Sequence, residues 1–140
     1  MADVPKLLQT VLDGPDPRAM AEFWRQFLGY DYRPGDEPPA PGEPDPKGED
    51  WLVLRAPDGS NRLAFQGVAD LPRSTWPDQT QPQQLHLDLM VPDIETLDAQ
   101  HERALALGAT LLDDSRQRDP EEPLRVYADP AGHPFCVFVG

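Results

Sequence analysis

Residues 11–30 read VLDGPDPRAMAEFWRQFLGY, and residues 85–109 read LHLDLMVPDIETLDAQHERALALGA. The two stretches share an order of landmarks. Leu12, Pro15 and Asp16 recur as Leu89, Pro92 and Asp93 at an offset of 77. Gly29 recurs as Gly108 and, farther on, Gly59 as Gly132, at offsets of 79 and 73. Landmarks repeated in one order indicate an internal duplication, with small insertions accounting for the drift.

Each copy begins as a strand and continues as an amphipathic helix. In the first, Met20, Phe23, Trp24, Phe27 and Leu28 mark one face of a 3.6-residue period. Asp16 suits the N-cap, Pro17 the first helical position and Gly29 the left-handed stop. The second helix starts after Asp93, sets Ile94, Leu97, Ala104 and Leu105 on one face, and ends at Gly108. Strands are expected over 6–12, 30–33, 50–55, 62–66, 85–91, 110–112, 124–128 and 135–139. Turn signals at Pro57-Asp58-Gly59 and Asp129-Pro130-Ala131-Gly132 close the last pair in each half. The order in each half is therefore βαβββ. The fold class is α+β, built of two tandem βαβββ modules, about 6–68 and 84–139, in a single domain spanning 1–140. A Pro-rich connector, 69–83, joins them.

Composition narrows what such a domain does. The chain has 140 residues, 25 acidic against 12 basic, and a net charge of −13. That field repels polyanions and anionic lipid, so neither a nucleic acid nor a membrane is an expected partner. The N-terminus carries no targeting pattern and the apolar runs are short, so a cytoplasmic protein is expected. A single cysteine, Cys136, excludes an intramolecular disulfide and any multi-cysteine zinc cluster. Proline reaches 18 residues, and six of them fall in Pro34–Glu49, PGDEPPAPGEPDPKGE. That acidic stretch reads as a long, mobile, solvated loop, with a mobile cover over a cavity as the alternative. A third irregular stretch, 113–123, is charged and polar.

The two quoted stretches, together with YADPAGHPFCVFVG at 127–140, resemble the vicinal-oxygen-chelate superfamily. This superfamily includes glyoxalase I, bleomycin-resistance proteins and extradiol dioxygenases; the likeness is greatest to a glyoxalase-like branch. The resemblance implies curved mixed sheets around a ligand cavity, and a homodimer. It also implies four metal-ligand positions on the first and last strands of the modules, here occupied by Gln9, Ala64, His86 and Cys136. His86 alone is an orthodox ligand for a hard metal. No metal site is therefore expected, His86, Gln9 and Cys136 being the candidates if there is one, and no cofactor, with a divalent ion as the alternative.

Period-2 alternation selects the residues that face the cavity. His86, Asp88 and Met90 share one face, and Leu87, Leu89 and Val91 pack on the helix. Gln9, Trp51, Val53, Arg55, Gln66, Arg125 or Tyr127, Cys136 and Phe138 complete the lining. Aromatic walls with a few convergent polar groups suit a small organic ligand. His86 and Asp88 are the candidate catalytic pair, the carboxylate raising the basicity of the imidazole. Gln9, Trp51, Val53, Arg55, Gln66, Tyr127, Cys136 and Phe138 are the candidate substrate-binding residues. Cys136 reads as a buried, inert thiol, since a nucleophilic pair with His86 needs contact and a lowered thiol pKa. His101 reads as solvated and Trp24 as core.

The expected function is binding of a small organic molecule without a catalytic metal, either to transform it or to sequester it. The alternatives are a metal-dependent lyase, isomerase or dioxygenase of the same superfamily, and a non-catalytic regulatory or interaction protein.

Overall fold

A computed structural model describes residues 3–115, 119 and 121–140. It divides into two compact units, Met1–Ala69 and Asp70–Gly140. The first contains β1 (Thr10–Gly14), α1 (Pro17–Leu28), β2 (Asp31–Tyr32), β3 (Trp51–Arg55) and β4 (Asn61–Gly67). The second contains β5 (Leu87–Val91), α2 (Ile94–Leu107), β6 (Thr110–Asp114), β7 (Leu124–Ala128) and β8 (Pro134–Val139). The sheet orders are β1-β4-β3-β2 and β5-β8-β7-β6. Both sheets are mixed: the first strand runs parallel to the last, and the remaining pairs are antiparallel. Two βαβββ modules with the same strand order confirm the duplication. Strands β1 and β5 begin at Thr10 and Leu87, which reproduces the offset of 77.

Both helices are capped as their sequences require. Asp16 accepts from Ala19 N at 3.1 Å and Asp93 from Thr96 N at 2.7 Å, satisfying amides that the first turn leaves free. Gly29 and Gly108 stop the helices at φ 70° and 115°, conformations in which a Cβ is strained. Helix α1 buries Met20, Phe23, Trp24 and Phe27. Trp24 has no exposed surface and meets the Phe23 ring edge-on at 5.1 Å. In α2 only Leu97 and Ala104 are buried, whereas Ile94 and Leu105 are exposed. The apolar face of α2 is narrower than its sequence suggests.

The acidic, Pro-rich stretch is exposed along most of its length, as a solvated loop would be, but it is tied down at Asp36 and Asp45. Asp36 is buried; its carboxylate accepts from Val53 N at 2.9 Å and pairs with Arg33 at 3.1 Å and Lys47 at 3.7 Å. Arg18 on α1 binds Asp45 through two nitrogens, at 2.8 and 3.0 Å, and donates to Asp36 O at 2.7 Å. The same guanidinium lies 5.0 Å over the Tyr32 ring. A short 3₁₀ turn, Lys47–Glu49, then packs against α1, β3 and β4. The correction has a simple cause: the stretch has little apolar surface to bury, but its carboxylates meet cations fixed on the helix and on β2's flank.

Strand boundaries shift in places. The first strand begins at Thr10, not Lys6, and the residues before it lie outside any sheet. Positions 116–118 and 120 of the polar stretch after β6 lie outside the described residues. Among the described residues, no helix is long and apolar enough to cross a membrane.

Candidate functional site

Parallel pairing sets the geometry of the second module. Strand β5 aligns Leu87 with Phe135, Asp88 with Cys136, Leu89 with Val137 and Met90 with Phe138. Partners in a parallel ladder share a face. Phe135 and Val137 are buried with Leu97 and Ala104 in the helix-side core. Asp88, Met90, Cys136 and Phe138 therefore occupy the opposite face, and His86 follows by alternation. The structure brings three of the predicted polar residues together there. His86 Nε2 lies 3.2 Å from Asp88 Oδ1. Ligand-type atoms of His86, Asp88 and Cys136 all lie within 4.8 Å of one another. His86 and Asp88 are exposed, Cys136 is half-buried, and Met90 stands 66% exposed beside them.

The chemistry of the thiol is set by this neighbourhood. Burial, reinforced by the negative charge of Asp88 and a hydrogen bond to it, pushes Cys136 up to about 11. At neutral pH it is a protonated donor, not a thiolate nucleophile. His86 lies within 4.8 Å of the sulfur, but the lowered thiol pKa that a nucleophilic pair needs is not there.

Tyr127 does not belong to this face. It pairs with Phe135 in the ladder and stacks on it at 5.3 Å, and its hydroxyl meets His101 Nδ1 of α2 at 2.8 Å. Arg125 also points to the helix, where it binds Asp98 at 3.0 Å, Asp114 at 3.2 Å and Leu97 O at 3.4 Å. Val126, the partner of Cys136, is the β7 residue on the open face. The expected lining by Arg125 or Tyr127 was one residue out of register, and that slip exchanges faces. His101 is correspondingly half-buried and paired, not solvated. Burial pushes Tyr127 up to about 12.

The first module holds its own part of the prediction. The registers Val11↔Ala64↔Val53 and Asp13↔Gln66↔Trp51 define the face turned away from α1, and Gln9 continues it by alternation. Gln66 is exposed, Trp51 half-buried and Val53 fully buried. Arg55 sits at a β-bulge and donates to Asn61 Oδ1 at 3.0 Å. Gln9 Oε1 is buried with no hydrogen-bond partner among the described residues. An offset of 77 maps Gln9, Val11 and the partner Ala64 onto His86, Asp88 and the partner Cys136. The polar cluster thus has no chemical counterpart in the first module.

Sequence reasoning also missed an open groove of about 410 Å³ lined by Glu22, Arg25, Asp31, Tyr32, Glu37 and Pro38. Its central carboxylate is already engaged: Glu22 accepts from Arg25 at 2.7 Å and from Tyr32 Oη at 2.7 Å. Pairing with Arg25 holds Glu22 below the usual carboxylate range, against the opposing effect of burial. The groove's signal was absent because it depends on where the Pro-rich stretch docks.

Two similarities bear on this arrangement. The Glyoxalase-like domain family matches residues 9–138. The chain belongs to this family. No curated protein matches it in sequence. Among solved structures, a possible glyoxalase from Bacillus cereus is similar with a TM-score of 0.64 and 16% identity, over 96% of this chain and 99% of that one. The fosfomycin resistance protein FosX from Listeria monocytogenes is similar at 0.67 and 14%, over 99% and 95%. A glyoxalase/bleomycin resistance protein/dioxygenase family enzyme from Burkholderia phytofirmans PsJN gives 0.63 and 18%, over 94% and 96%. At such identities these similarities establish the glyoxalase-like fold.

The superfamily's hard divalent ion is tested by the donors themselves. Such an ion takes nitrogen and oxygen donors that carry or stabilise charge. At the four positions the resemblance implies, this chain offers an amide, a methyl group, an imidazole and a protonated thiol. The set does not fit a hard ion, and no chemical step is derived through one.

Proposed function

We propose that this glyoxalase-like protein binds a small organic molecule on the open face of the second module's sheet. His86, Asp88 and Cys136 are its polar anchors. The observation that carries this reading is their convergence next to exposed Met90 and half-exposed Phe138. Imidazole, carboxylate and thiol offer both donors and acceptors, while the methionine and phenyl groups offer polarizable apolar contact. A surface field from a net charge of −13 favours neutral or cationic ligands over anionic ones. His86, paired with Asp88, is the general base of the proposal if the bound molecule is transformed. A cytoplasmic homodimer completes the reading.

The test uses protein stripped of metal with EDTA. A panel of hydrophobic antibiotics and aromatic metabolites is screened by thermal shift and followed by calorimetric titration. A ligand that binds only the native state stabilises it by about 2.7 kcal/mol at a concentration 100 times Kd. The reading expects at least one such ligand, with binding weakened in His86→Ala. If no compound stabilises the protein, or His86→Ala binds unchanged, the proposal is wrong.

A further inference from the structure

The groove beside the docked Pro-rich stretch presents fixed groups of both charges. We infer that it binds a small zwitterion of the amino-acid class, Arg25 taking the carboxylate and Asp31 and Glu37 the ammonium group. The groove lies wholly within Met1–Ala69 and shares no residue with the face proposed above for an organic ligand.

Three observations carry it. The first is size and construction. At about 410 Å³ the groove falls near the lower end of the roughly 300–1,000 Å³ typical of small-molecule sites. Helix α1 contributes Glu22 and Arg25, β2 contributes Asp31 and Tyr32, and the Pro-rich stretch contributes Glu37 and Pro38. The last wall is fixed because Asp36, next to Glu37, is the buried anchor on Val53 N. The second observation is that the guanidinium is already oriented. Arg25 donates to Glu22 from Nε at 2.7 Å and from Nη2 at 3.0 Å. Glu22 is held in turn by the hydroxyl of buried Tyr32, whose ring lies under Arg18. A planar guanidinium fixed along one edge loses little freedom when a carboxylate meets the other. Pairing with Glu22 also raises the basicity of Arg25, and the nearby charge of Asp31 adds to that effect. The third observation is that groups of both signs keep bonding capacity. Of the five N–H donors of a guanidinium, those on Nη1 of Arg25 have no partner among the described residues. The Asp31 carboxylate makes no hydrogen bond or ion pair among the described residues. Glu37 Oε2 accepts from Gly35 N at 2.8 Å, which orients the carboxylate and leaves Oε1 available. Asp31 and Glu37 are both exposed. A simple anion entering here meets three carboxylates, and a simple amine meets the guanidinium. A zwitterion answers both charges at once.

The experiment titrates isotope-labelled, full-length protein with each standard L-amino acid in turn and follows backbone amides and Arg25 Nε by NMR. For the tightest binder, the amine that lacks its carboxylate and the acid that lacks its amino group serve as single-sign controls. The expected result is a saturable shift at Asp31, Tyr32, Glu37 and Arg25 Nε with at least one amino acid. Each control should bind about tenfold more weakly, the lower end of what a hydrogen bond to a charged group supplies. Asp31→Asn and Arg25→Gln should each weaken binding by about the same factor. Asp31 is exposed, so Asp31→Asn is expected to fold, and far-ultraviolet circular dichroism checks this. Because Glu37 belongs to the site, the bound amino acid should also slow limited proteolysis between Pro34 and Glu49. Absence of shifts at millimolar amino acid, a control that binds as tightly as its parent, or full affinity in Asp31→Asn overturns the inference. Shifts confined to Met90 and Phe138 would place the ligand on the second module's open face, which sinks the groove and supports the function proposed above. Binding in the groove with no ligand on that face does the reverse.

Discussion

One of the anchors of the acidic Pro-rich stretch is a buried carboxylate, and removing it should loosen the first module measurably. Asp36 is 1% exposed. Asp36→Ala deletes the acceptor for Val53 N, in the centre of a strand whose residues Leu52, Val53 and Leu54 are all fully buried. Leaving that amide without a partner costs about 1–3 kcal/mol. The two ion pairs add less than a buried pair would, because Arg33 is 37% and Lys47 58% exposed and both rehydrate when the carboxylate goes. The net expectation is a loss of about 2–3 kcal/mol. Asp36→Asn keeps an oxygen for Val53 N and loses only the charge, so it should cost about 1 kcal/mol or less. Urea unfolding followed by tryptophan fluorescence reads both variants, since Trp24 and Trp51 lie in this module. Limited proteolysis between Pro34 and Glu49 should accelerate in the alanine variant alone. An Asp36→Ala protein within 0.5 kcal/mol of wild type, with unchanged proteolysis, would show that the stretch is not anchored in this way.

Trp24→Ala should cost about 3–5 kcal/mol in the same urea assay, since it empties a fully buried site packed by Phe23 and Phe27. Gly67→Ala should also destabilise, because a Cβ there would collide with the Glu49 carbonyl, and only a backbone shift can relieve it. A smaller effect under 0.5 kcal/mol would mean that the 3₁₀ turn moves aside. Glu22→Gln tests linkage: the folded-state pKa of Glu22 is lowered, so its contribution is present above the usual carboxylate range. That contribution disappears as pH falls through the lowered value. Wild type should therefore be more stable than Glu22→Gln at pH 7, and the gap should close in acid. A gap that widens on acidification contradicts the assignment.

Fold was legible wherever one residue type has one physical job. Asp16, Asp93, Gly29 and Gly108 could be read as caps because short carboxylates and left-handed glycines perform that role with little help from tertiary contacts. The repeat was legible for the same reason, since its landmarks are those caps and turns. The Pro-rich stretch was not. Its order depends on Arg18 lying 27 residues from Asp45 in sequence, and on Val53 lying 17 from Asp36. No local propensity encodes such pairs. Strand ends shifted for a related reason: β1 can extend only as far as β4 is there to pair with it.

The site divides along the same line. Alternation placed His86, Asp88, Cys136 and Phe138 on one face because β5 and β8 pair without a bulge. It misplaced Tyr127 because β7 is paired so that Val126, not Tyr127, meets Cys136, and nothing within the sequence of β7 distinguishes the two registers. What the duplication adds is a contrast that no single strand contains. Val11 and Ala64 are register partners, as Asp88 and Cys136 are, on strands related by the offset of 77. One backbone geometry therefore holds two apolar side chains in the first module and a carboxylate against a thiol in the second. The fold alone does not require a polar pair at that position, since the first module forms the same ladder without one. Replacing Asp88 and Cys136 together by Val and Ala should leave the second sheet folded while removing the proposed binding. If that double variant unfolds, the pair is structural, and the functional reading of the face loses its basis.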